Sequence, residues 1–408
     1  MVSDSRGLGL PGAGKVVDAQ SAISYQPNYM NIRAMRIALF TGAYNHVTDG
    51  VSLTLNRLVR FLVEKGAEVH VYAPTVVNPA IEHAGVLVPV TSISAPGRPE
   101  YRVSLGLNRR ARKDLTEFRP HLFHIATPDI LGLAALRIAI RAHKPVIATY
   151  HTHFASYLNY YRLGILEENV WGYLRWFYRR CREVYVPSRS MIDVLESHGI
   201  SGNLRIWPRG VDSILFSPER RSGEWRRSRG IAEDEVIVAF VSRLVTEKGL
   251  AVVTGVHELL ESRGVPHRLQ FVGDGPERSA LEARHPNALF EGHLSGEALA
   301  VAYASSDIFL FPSETETFGN VTLEAMTSGL PVVVANATGS SSLVLDGVSG
   351  FLCEPRNPQS FADKVELLAR DKALRSRMGI TARRAGEKYD WTPVLEQMVD
   401  NYERVTSA

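Results

Sequence analysis

The sequence predicts an α/β protein with two doubly wound domains that face a central cleft, each a parallel sheet covered by helices. Its 408 residues, 45% hydrophobic and 22% charged, are enough for two domains with separate cores. Strand-like apolar runs alternate with helical patterns, which favours parallel sheets. This alternation starts afresh near residue 236, which indicates a second domain of the same kind.

The first domain opens with a strand, a helix and a second strand. Residues 35–40 form an apolar run, and a strand is predicted again at 68–72. Between them, apolar residues recur at helical spacing until Lys65-Gly66, at Val51, Leu55, Leu58, Val59 and Leu62. Three further strands are predicted, at 122–125, 146–149 and 183–186.

The second domain repeats this order. Strands are predicted at 236–241, 269–272, 308–311 and 331–334, and a helix is predicted at 250–261. Pro and Gly at 207–212 and 216–218 are typical of a linker, so we place the hinge near 205–220. Because doubly wound sheets bind ligands beyond the carboxyl ends of their strands, two facing domains would grip a ligand from both sides.

These elements predict four segments: a flexible N-terminal arm over 1–34, domains over 35–205 and 206–385, and a final helix within 386–408. The arm lacks the features of a secretory signal, and no apolar run approaches the roughly 18–20 residues of a membrane span. Cys181 and Cys353 are too few and too distant to indicate disulfides or a zinc site, so we expect a cytoplasmic protein.

The charge is unevenly distributed between the two halves. Residues 1–205 hold 24 Lys and Arg against 15 Asp and Glu, a net charge of +9, whereas the remainder holds 22 against 28, a net charge of −6. A basic half is compatible with nucleic acid, an anionic membrane, an acidic substrate or simply a solvated Arg-rich surface.

Two cations, Arg243 and Lys248, lie in the predicted loop between the strand at 236–241 and the following helix. A helix N-terminus adds positive potential there, and Arg can hold two oxygen atoms while Lys supplies a point charge. The loop therefore predicts a diphosphate site, although an ordinary surface loop could carry the same residues.

Two carboxylates, Glu316 and Glu324, follow the strand at 308–311. We expect Asn320 to be the helix N-cap, with Glu316 on the loop before it and Glu324 within the helix. Each carboxylate could accept hydrogen bonds from sugar hydroxyls at one end of a nucleotide-sugar, while backbone N–H groups of Phe318, Gly319 and Asn320 meet its phosphates. The alternative is two acidic residues on a solvated turn.

Several motifs together resemble those of the family 4 retaining glycosyltransferases, which have the GT-B fold of two Rossmann-like domains. The resemblance covers about residues 35–405. Its landmarks stand in the expected order: the 210–212 and 216–218 linker segments, Ser242-Arg243-Leu244 with Lys248-Gly249, the 272–276 turn that contains Gly273, and the 316–332 run with both glutamates.

The resemblance implies that Arg243 and Lys248 bind the donor diphosphate, that Glu324 binds the ribose, and that Glu316 binds hydroxyls of the donor sugar. It places Gly273 among the donor-binding residues and predicts that the final helix crosses back onto the first domain. Arg209 stands where Asn is common, and we assign it no role. Retention in this family is explained by a front-face route without a protein nucleophile, in which Arg243, Lys248 and helix N-termini stabilise the departing diphosphate. The sequence has no Asp-x-Asp motif, so we expect no metal, and we expect no cofactor.

In the first half, the segment 41–51 has no GxGxxG spacing, which disfavours a dinucleotide cofactor. Gly50 would let backbone N–H groups reach a donor phosphate, a role that the resemblance supports. Asp49 is either an acceptor-side residue or a plain N-cap. The resemblance identifies His151 as a catalytic residue beside the reacting sugar, whereas His153 is an acceptor-side candidate or an ordinary loop histidine.

Arg residues cluster at 109–113 and alternate with aromatic residues at 171–180. This pattern suits the headgroup zone of an anionic membrane, although the second segment could equally be a core helix with outward Arg residues. We expect a peripheral enzyme at the inner membrane face, resembling the branch that mannosylates or sulfoquinovosylates glycolipids, with a nucleotide-sugar donor, a lipid acceptor and no nucleic acid. The alternatives are a soluble transferase of exopolysaccharide or small-glycoside synthesis and a non-catalytic nucleotide-sugar-binding protein.

Overall fold

The first domain is built on a parallel sheet, seen in a computed structural model that describes residues 30–95, 98–151 and 167–407. Its described strands pair in the order β3-β2-β1-β6-β7-β8-β9, and β4 and β5 form a separate antiparallel hairpin. The strands are β1 Arg36–Phe40, β2 Glu68–Ala73, β3 Val86–Pro89, β4 Ser92–Ala95, β5 Arg98–Ser104, β6 Leu122–Ile125, β7 Val146–Thr149, β8 Glu183–Val186 and β9 Leu204–Ile206. The accompanying helices are α1 Gly50–Glu64, α2 Arg109–Phe118, α3 Ile130–Arg141, α4 Glu167–Tyr178 and α5 Arg189–Ser197.

The second domain repeats the architecture with a parallel sheet in the order β12-β11-β10-β13-β14-β15. Its strands are β10 Ile237–Val241, β11 Arg268–Val272, β12 Leu289–Gly292, β13 Ile308–Phe311, β14 Val332–Ala335 and β15 Gly350–Cys353. Its helices are α6 Gly223–Ser228, α7 Leu250–Ser262, α8 Arg278–Arg284, α9 Gly296–Ala304, α10 Asn320–Thr327, α11 Pro358–Arg370 and α12 Lys372–Gly386. Two doubly wound α/β domains are thus confirmed.

Strands buried along their whole length were predicted well, and edge strands were missed. The strands at 122–125, 146–149, 183–186 and 308–311 have the predicted bounds, because their residues are all buried and most of them are apolar. The edge strand β12 is only partly buried, so its hydrophobic pattern is weak.

The final helix, α13 Trp391–Ser407, packs against the first domain. Its buried side chains Leu395, Met398 and Tyr402 share a core cluster with Ile37 of β1 and Leu58 of α1. The indole Nε1 of Trp207 donates to the carbonyl of Val394 at 3.0 Å, which ties the linker to this helix.

The predicted arm over 1–34 is too long at its carboxyl end. Ile32 is buried, and its backbone N–H donates to the Glu403 carboxylate at 2.8 Å. The ordered fold therefore includes residues 30–34, because an apolar side chain in this stretch completes the contact with α13.

The aromatic helix α4 belongs mainly to the core. Trp171, Leu174, Phe177 and Tyr178 are buried, and only Trp176 is exposed among its large apolar side chains. The core-helix alternative for 171–180 is therefore the one observed within the described residues. None of the helices that the structure describes is both long and apolar enough to cross a membrane.

Loops at the carboxyl ends of the two sheets meet across the cleft. Ser188, which follows β8, donates its hydroxyl hydrogen to the carbonyl of Thr317, which follows β13, at 2.8 Å. The backbone N–H of Gly339 donates to the hydroxyl of Ser190 at 2.9 Å. These contacts bring the predicted site residues of both domains to one place.

Candidate active site

The loop after β10 carries Arg243 and Lys248 and is held in place by the loop after β11. The backbone N–H of Leu244 donates to the carbonyl of Asp274 at 2.9 Å, and the Leu244 side chain is buried. Gly273 has φ +134°, and a Cβ there would lie 1.9 Å from the Ser242 carbonyl oxygen. Only glycine fits this contact, so Gly273 allows the loop after β11 to pack against the loop that carries Arg243.

Arg243 and Lys248 lie in different surroundings. The Arg243 side chain is 55% exposed, and Glu247 is 3.9 Å away, so its guanidinium is accessible to an anion. Lys248 Nζ lies 2.5 Å from Glu316 Oε1, and the two side chains are 17% and 18% exposed. The hydroxyl of Ser313 also reaches this carboxylate, at 3.3 Å. Two residues 68 positions apart in sequence thus form one ion pair.

The second glycine-dependent turn leads into α10. Gly319 has φ +97° and is the helix N-cap, while Asn320 is the first helical residue and is exposed. The expectation that Asn320 would be the N-cap was therefore wrong, because the chain needs a left-handed residue at 319 to enter the helix. Phe318 is buried with its ring centroid 5.8 Å from that of Tyr389, which anchors the turn.

Glu324 lies within α10, in a less polar setting than Glu316. The hydroxyl of Tyr303 donates to Glu324 Oε2 at 3.1 Å. Burial raises the pKa of the Glu324 carboxyl to about 7, and the Tyr303 hydrogen bond opposes that rise. One glutamate is therefore held by a cation, and the other is close to half protonated at neutral pH.

The N-terminus of α1 faces the N-terminus of α10. Gly50 is the first residue of α1, and a Cβ at Gly50 would lie 3.3 Å from the side-chain amide nitrogen of Asn320. The Asp49 carboxylate caps the helix by accepting from the Ser52 backbone N–H at 2.8 Å. Asp49 is thus the N-cap that the sequence offered as one of two alternatives.

His151 follows β7 and is buried at the end of a hydrogen-bonded line. Its Nε2 is 2.8 Å from the Thr149 hydroxyl, which is 3.0 Å from His124 Nε2. His124 Nδ1 is in turn 2.6 Å from the hydroxyl of Tyr402 on α13. His153 lies outside the described residues.

The contact with Arg209 determines the tautomer of His151, and burial keeps both histidines neutral. Arg209 Nη2 contacts His151 Nδ1, and a guanidinium can only donate, so this ring nitrogen accepts and Nε2 carries the hydrogen. Burial, reinforced by the charge of Arg209, holds the pKa of His151 well below its usual value. Burial lowers the pKa of His124 to about 3. Both imidazoles are therefore neutral at physiological pH.

Sequence reasoning missed Arg209, His124 and Tyr402. Two weak signals were present: a histidine inside a buried strand, and an arginine where the family pattern has asparagine. Neither signal indicates a partner, because His124 and Tyr402 are 278 positions apart.

The described residues contain no group of three His, Cys, Asp or Glu side chains placed to hold a metal ion. The structure does pair Lys248 with Glu316, and the accessible Arg243 lies on the same loop as Lys248. This arrangement suits a ligand that combines an anionic centre with hydroxyl groups.

The two domains and the cleft between them define a glycosyltransferase of the GT-B type. Residues 48–213 match the family model described as Glycosyltransferase Family 4, and residues 222–385 match the one described as Glycosyl transferases group 1. The chain belongs to glycosyltransferase family 4, which confirms the resemblance seen in the motifs.

Three relatives cover most of the chain. A sulfoquinovosyl transferase of Arabidopsis thaliana is 34% identical over 366 residues, 87% of this chain and 71% of that protein. A GDP-mannose-dependent alpha-mannosyltransferase of Corynebacterium glutamicum is 30% identical over 392 residues, 91% of this chain and 89% of its own. An alpha-monoglucosyldiacylglycerol synthase of Streptococcus pneumoniae is 27% identical over 331 residues, 78% and 75% of the two chains.

Solved structures share the fold, and two of them serve as examples. A sucrose-phosphate synthase from Thermosynechococcus elongatus superposes with a TM-score of 0.76 at 19% identity, covering 91% of this chain and 99% of that one. Anabaena Alr3699/HepE, solved with UDP and glucose, has a TM-score of 0.69 at 19% identity and covers 90% and 99%. At these identities the likeness bears on the fold alone.

Proposed function

We propose that this glycosyltransferase moves a hexose or hexuronic acid from a nucleoside diphosphate donor to a membrane lipid or lipid-linked glycan, with retention at the anomeric carbon. The observation that carries the proposal is the Lys248–Glu316 pair at 2.5 Å, formed by loops that follow two neighbouring strands. A cation and a carboxylate side by side match a phosphate joined to a sugar.

In this proposal a different set of protein groups binds each part of the donor. Arg243 and Lys248 bind the diphosphate, helped by backbone N–H groups of the Phe318, Gly319 and Asn320 turn and by the N-terminus of α1 at Gly50. Glu316 binds hydroxyls of the sugar, and Glu324 binds the ribose. Support for such a donor comes from the relative that is a GDP-mannose-dependent alpha-mannosyltransferase.

The reaction follows the front-face route. As the bond between the anomeric carbon and the donor phosphate breaks, the leaving phosphate oxygen takes the proton of the acceptor hydroxyl, which bonds the carbon from the same face. Arg243 and Lys248 stabilise the charge that develops on the diphosphate. His151 acts by position, because both of its ring nitrogens are engaged with Arg209 and Thr149.

Because cationic side chains meet the diphosphate, we expect turnover without a metal or other cofactor. Dialysis against EDTA should leave kcat unchanged, whereas a fall in kcat that Mg²⁺ or Mn²⁺ restores would contradict this expectation.

A lipid acceptor is supported by the surface next to the first-domain half of the cleft. Four cations are exposed on the N-terminal half of α2: Arg109, Arg110, Arg112 and Lys113. The cross-strand pair Ile93 and Val103 of the β4–β5 hairpin is also exposed, as is Leu105 between the hairpin and α2. Basic and apolar residues together suit an anionic membrane surface, so we place the enzyme at the inner face.

The donor and acceptor can be tested together. Purified enzyme is incubated with UDP- or GDP-hexoses and vesicles containing diacylglycerol or anionic lipids, and release of nucleoside diphosphate is followed. Glu324→Ala should abolish turnover, while the exposed Glu224→Ala should not. Absence of nucleotide release with every donor, or full activity of Glu324→Ala, would contradict the proposal.

Membrane association has a separate readout. Sedimentation with phosphatidylglycerol vesicles should fall for Arg109→Glu with Arg110→Glu, and should fall for the native enzyme at raised salt. Arg377→Glu with Arg384→Glu, the same charge change at two exposed residues of α12, is the control. If the native enzyme does not sediment with the vesicles but glycosylates a water-soluble acceptor, the soluble-transferase alternative is correct.

A further inference from the structure

Arg209 is a buried cation at the junction of the two domains. It follows β9, is 5% exposed, and its guanidinium lies 5.8 Å from the ring of Trp207. Among the described residues its guanidinium has one hydrogen-bond partner, His151 Nδ1. Burial lowers the pKa of Arg209 to about 10, so the side chain is still charged at neutral pH.

The charge of Arg209 has no ion-pair partner among the described residues. The acidic residue that acts on it electrostatically is Asp49, whose carboxylate caps α1 by accepting from Ser52. The segment that follows His151, residues 152–166, contains no Asp or Glu. A buried charge without a counter-charge costs free energy that a bound anion would offset.

A second buried arginine shows how the same chain neutralises a structural cation. Arg226 is 3% exposed and lies 3.1 Å from the Asp307 carboxylate. It also donates to the backbone carbonyls of Ser305, Ala232 and Glu235. The described residues give Arg209 no such setting, so packing among them does not account for its charge.

The position of Arg209 connects it to the sugar end of the proposed donor site. Its partner His151 receives a hydrogen bond at its backbone carbonyl from the hydroxyl of Thr317, at 3.3 Å. Thr317 is the neighbour of Glu316, which is paired with Lys248. Arg209 is therefore connected through one residue, His151, to the loop that would hold the reacting sugar. It lies on the first-domain side of that loop.

We propose that Arg209 binds an oxyanion carried by one of the substrates, either an acidic group on the donor sugar or the phosphate of an acceptor headgroup. The proposal rests on the transferase function above and adds the substrate class. The donor diphosphate is a weaker candidate for the anion that Arg209 binds, because in the proposed function Arg243 and Lys248 of the other domain already bind it. Arginine suits the role because its planar fork can bind two oxygen atoms of a carboxylate, sulfonate or phosphate while one nitrogen stays on His151.

The test crosses two donors with two acceptors. UDP-glucose is compared with UDP-glucuronic acid, and diacylglycerol is compared with phosphatidylglycerol, each with the native enzyme, Arg209→Asn, Arg209→Lys and the exposed control Arg377→Asn. The native enzyme should turn over at least one pair with an acidic partner roughly 10-fold or more efficiently than the all-neutral pair.

Arg209→Asn should raise KM for that acidic partner by roughly 10- to 100-fold and leave KM for its neutral counterpart within about twofold. Arg209→Lys should recover part of the loss, and Arg377→Asn should match the native enzyme. A loss confined to acidic donors identifies the sugar as the source of the oxyanion, and a loss confined to acidic lipids identifies the headgroup.

The proposal is overturned if Arg209→Asn weakens all four pairs equally, since that result assigns the side chain to positioning His151 or to the diphosphate. It is also overturned if the native enzyme shows no preference for any acidic partner, a measurement that needs no variant to fold. Failure of the transferase function itself would look different, because the native enzyme would then release no nucleotide from any pair.

Discussion

The two halves of the cleft are built in different ways. On the second-domain side, accessible charged groups lie on loops whose shape is fixed by glycines with positive φ, such as Gly273 and Gly319. On the first-domain side, neutral histidines are buried in a line of hydrogen bonds beside the cation Arg209. The second-domain side, the proposed donor half, therefore depends on backbone geometry, and the first-domain side, the proposed acceptor half, depends on side chains from distant parts of the chain.

Replacing a glycine in the donor half should have the largest effect. In Gly273→Ala the new Cβ would lie 1.9 Å from the Ser242 carbonyl oxygen, so the Arg243 loop must move. We expect a loss of roughly 3–5 kcal/mol in the free energy of unfolding, with loss of donor binding. Urea denaturation measures the first and calorimetric titration the second.

Gly264→Ala is the matched control, because Gly264 also has positive φ but has no atom within 4 Å of the added Cβ. It should cost about 1–2 kcal/mol and leave donor binding intact. Equal losses in both variants would show that the contact between the two loops does not fix the donor half.

Removing a donor-side charge should slow the chemistry. Lys248→Ala takes away a cation proposed to stabilise the leaving diphosphate and leaves Glu316 without its partner at 2.5 Å. We expect kcat to fall by roughly 10²–10³-fold. The exposed Lys144→Ala serves as control, and native-like turnover of Lys248→Ala would remove this residue from the mechanism.

The raised pKa of Glu324, about 7, predicts pH-dependent donor binding. Ribose hydroxyls donate to the ionised carboxylate, so binding should strengthen as pH rises through 7 and weaken below it. Between pH 6 and pH 8 the affinity for a nucleotide-sugar should change by about 10-fold, measured by calorimetric titration.

Glu324→Gln should abolish this pH dependence. The sign for stability is opposite: the folded state binds the extra proton between the ordinary pKa and 7, so the Glu324 contribution to stability should fall as pH rises through that window. Donor affinity that is constant with pH in the native enzyme would contradict the ribose role.

The acceptor half should respond to a change on the final helix. Tyr402→Phe leaves His124 Nδ1 without its hydrogen-bond partner, the Tyr402 hydroxyl at 2.6 Å, inside the core. We expect a loss of about 1–2 kcal/mol in the free energy of unfolding. Tyr178→Phe is the control, because the Tyr178 hydroxyl is buried with no hydrogen-bond partner among the described residues, and its removal should be nearly neutral. Equal effects would mean that the hydrogen-bonded line contributes nothing measurable.

Much of the donor half could be predicted from local sequence. Arg243, Lys248, Glu316 and Glu324 each follow a buried strand, and such loops lie at the carboxyl edge of a parallel sheet wherever the strand is placed. The resemblance to the family then gave each of them an expected role. The pairing of Lys248 with Glu316 was not predicted, because spacing alone does not give a distance.

The first-domain side was harder to predict. His151 was identified through the family, but its partners come from the linker, from β6 and from the final helix. No periodicity connects these positions. The same reason explains the error at Asn320. Asparagine is a common N-cap residue, but the backbone turn requires a glycine at the N-cap, and Gly319 takes that position.

By itself the sequence determined the fold class, the buried strands, the loops that carry charge and the family, because these depend on patterns within about 20 residues. Only the tertiary structure decided which charges are paired, which histidines are neutral and which buried cation has no counter-charge among the described residues. Pairing, desolvation and hydrogen bonding act over a few ångströms in space, and they join groups such as Ile32 and Glu403, which lie 371 residues apart in the chain.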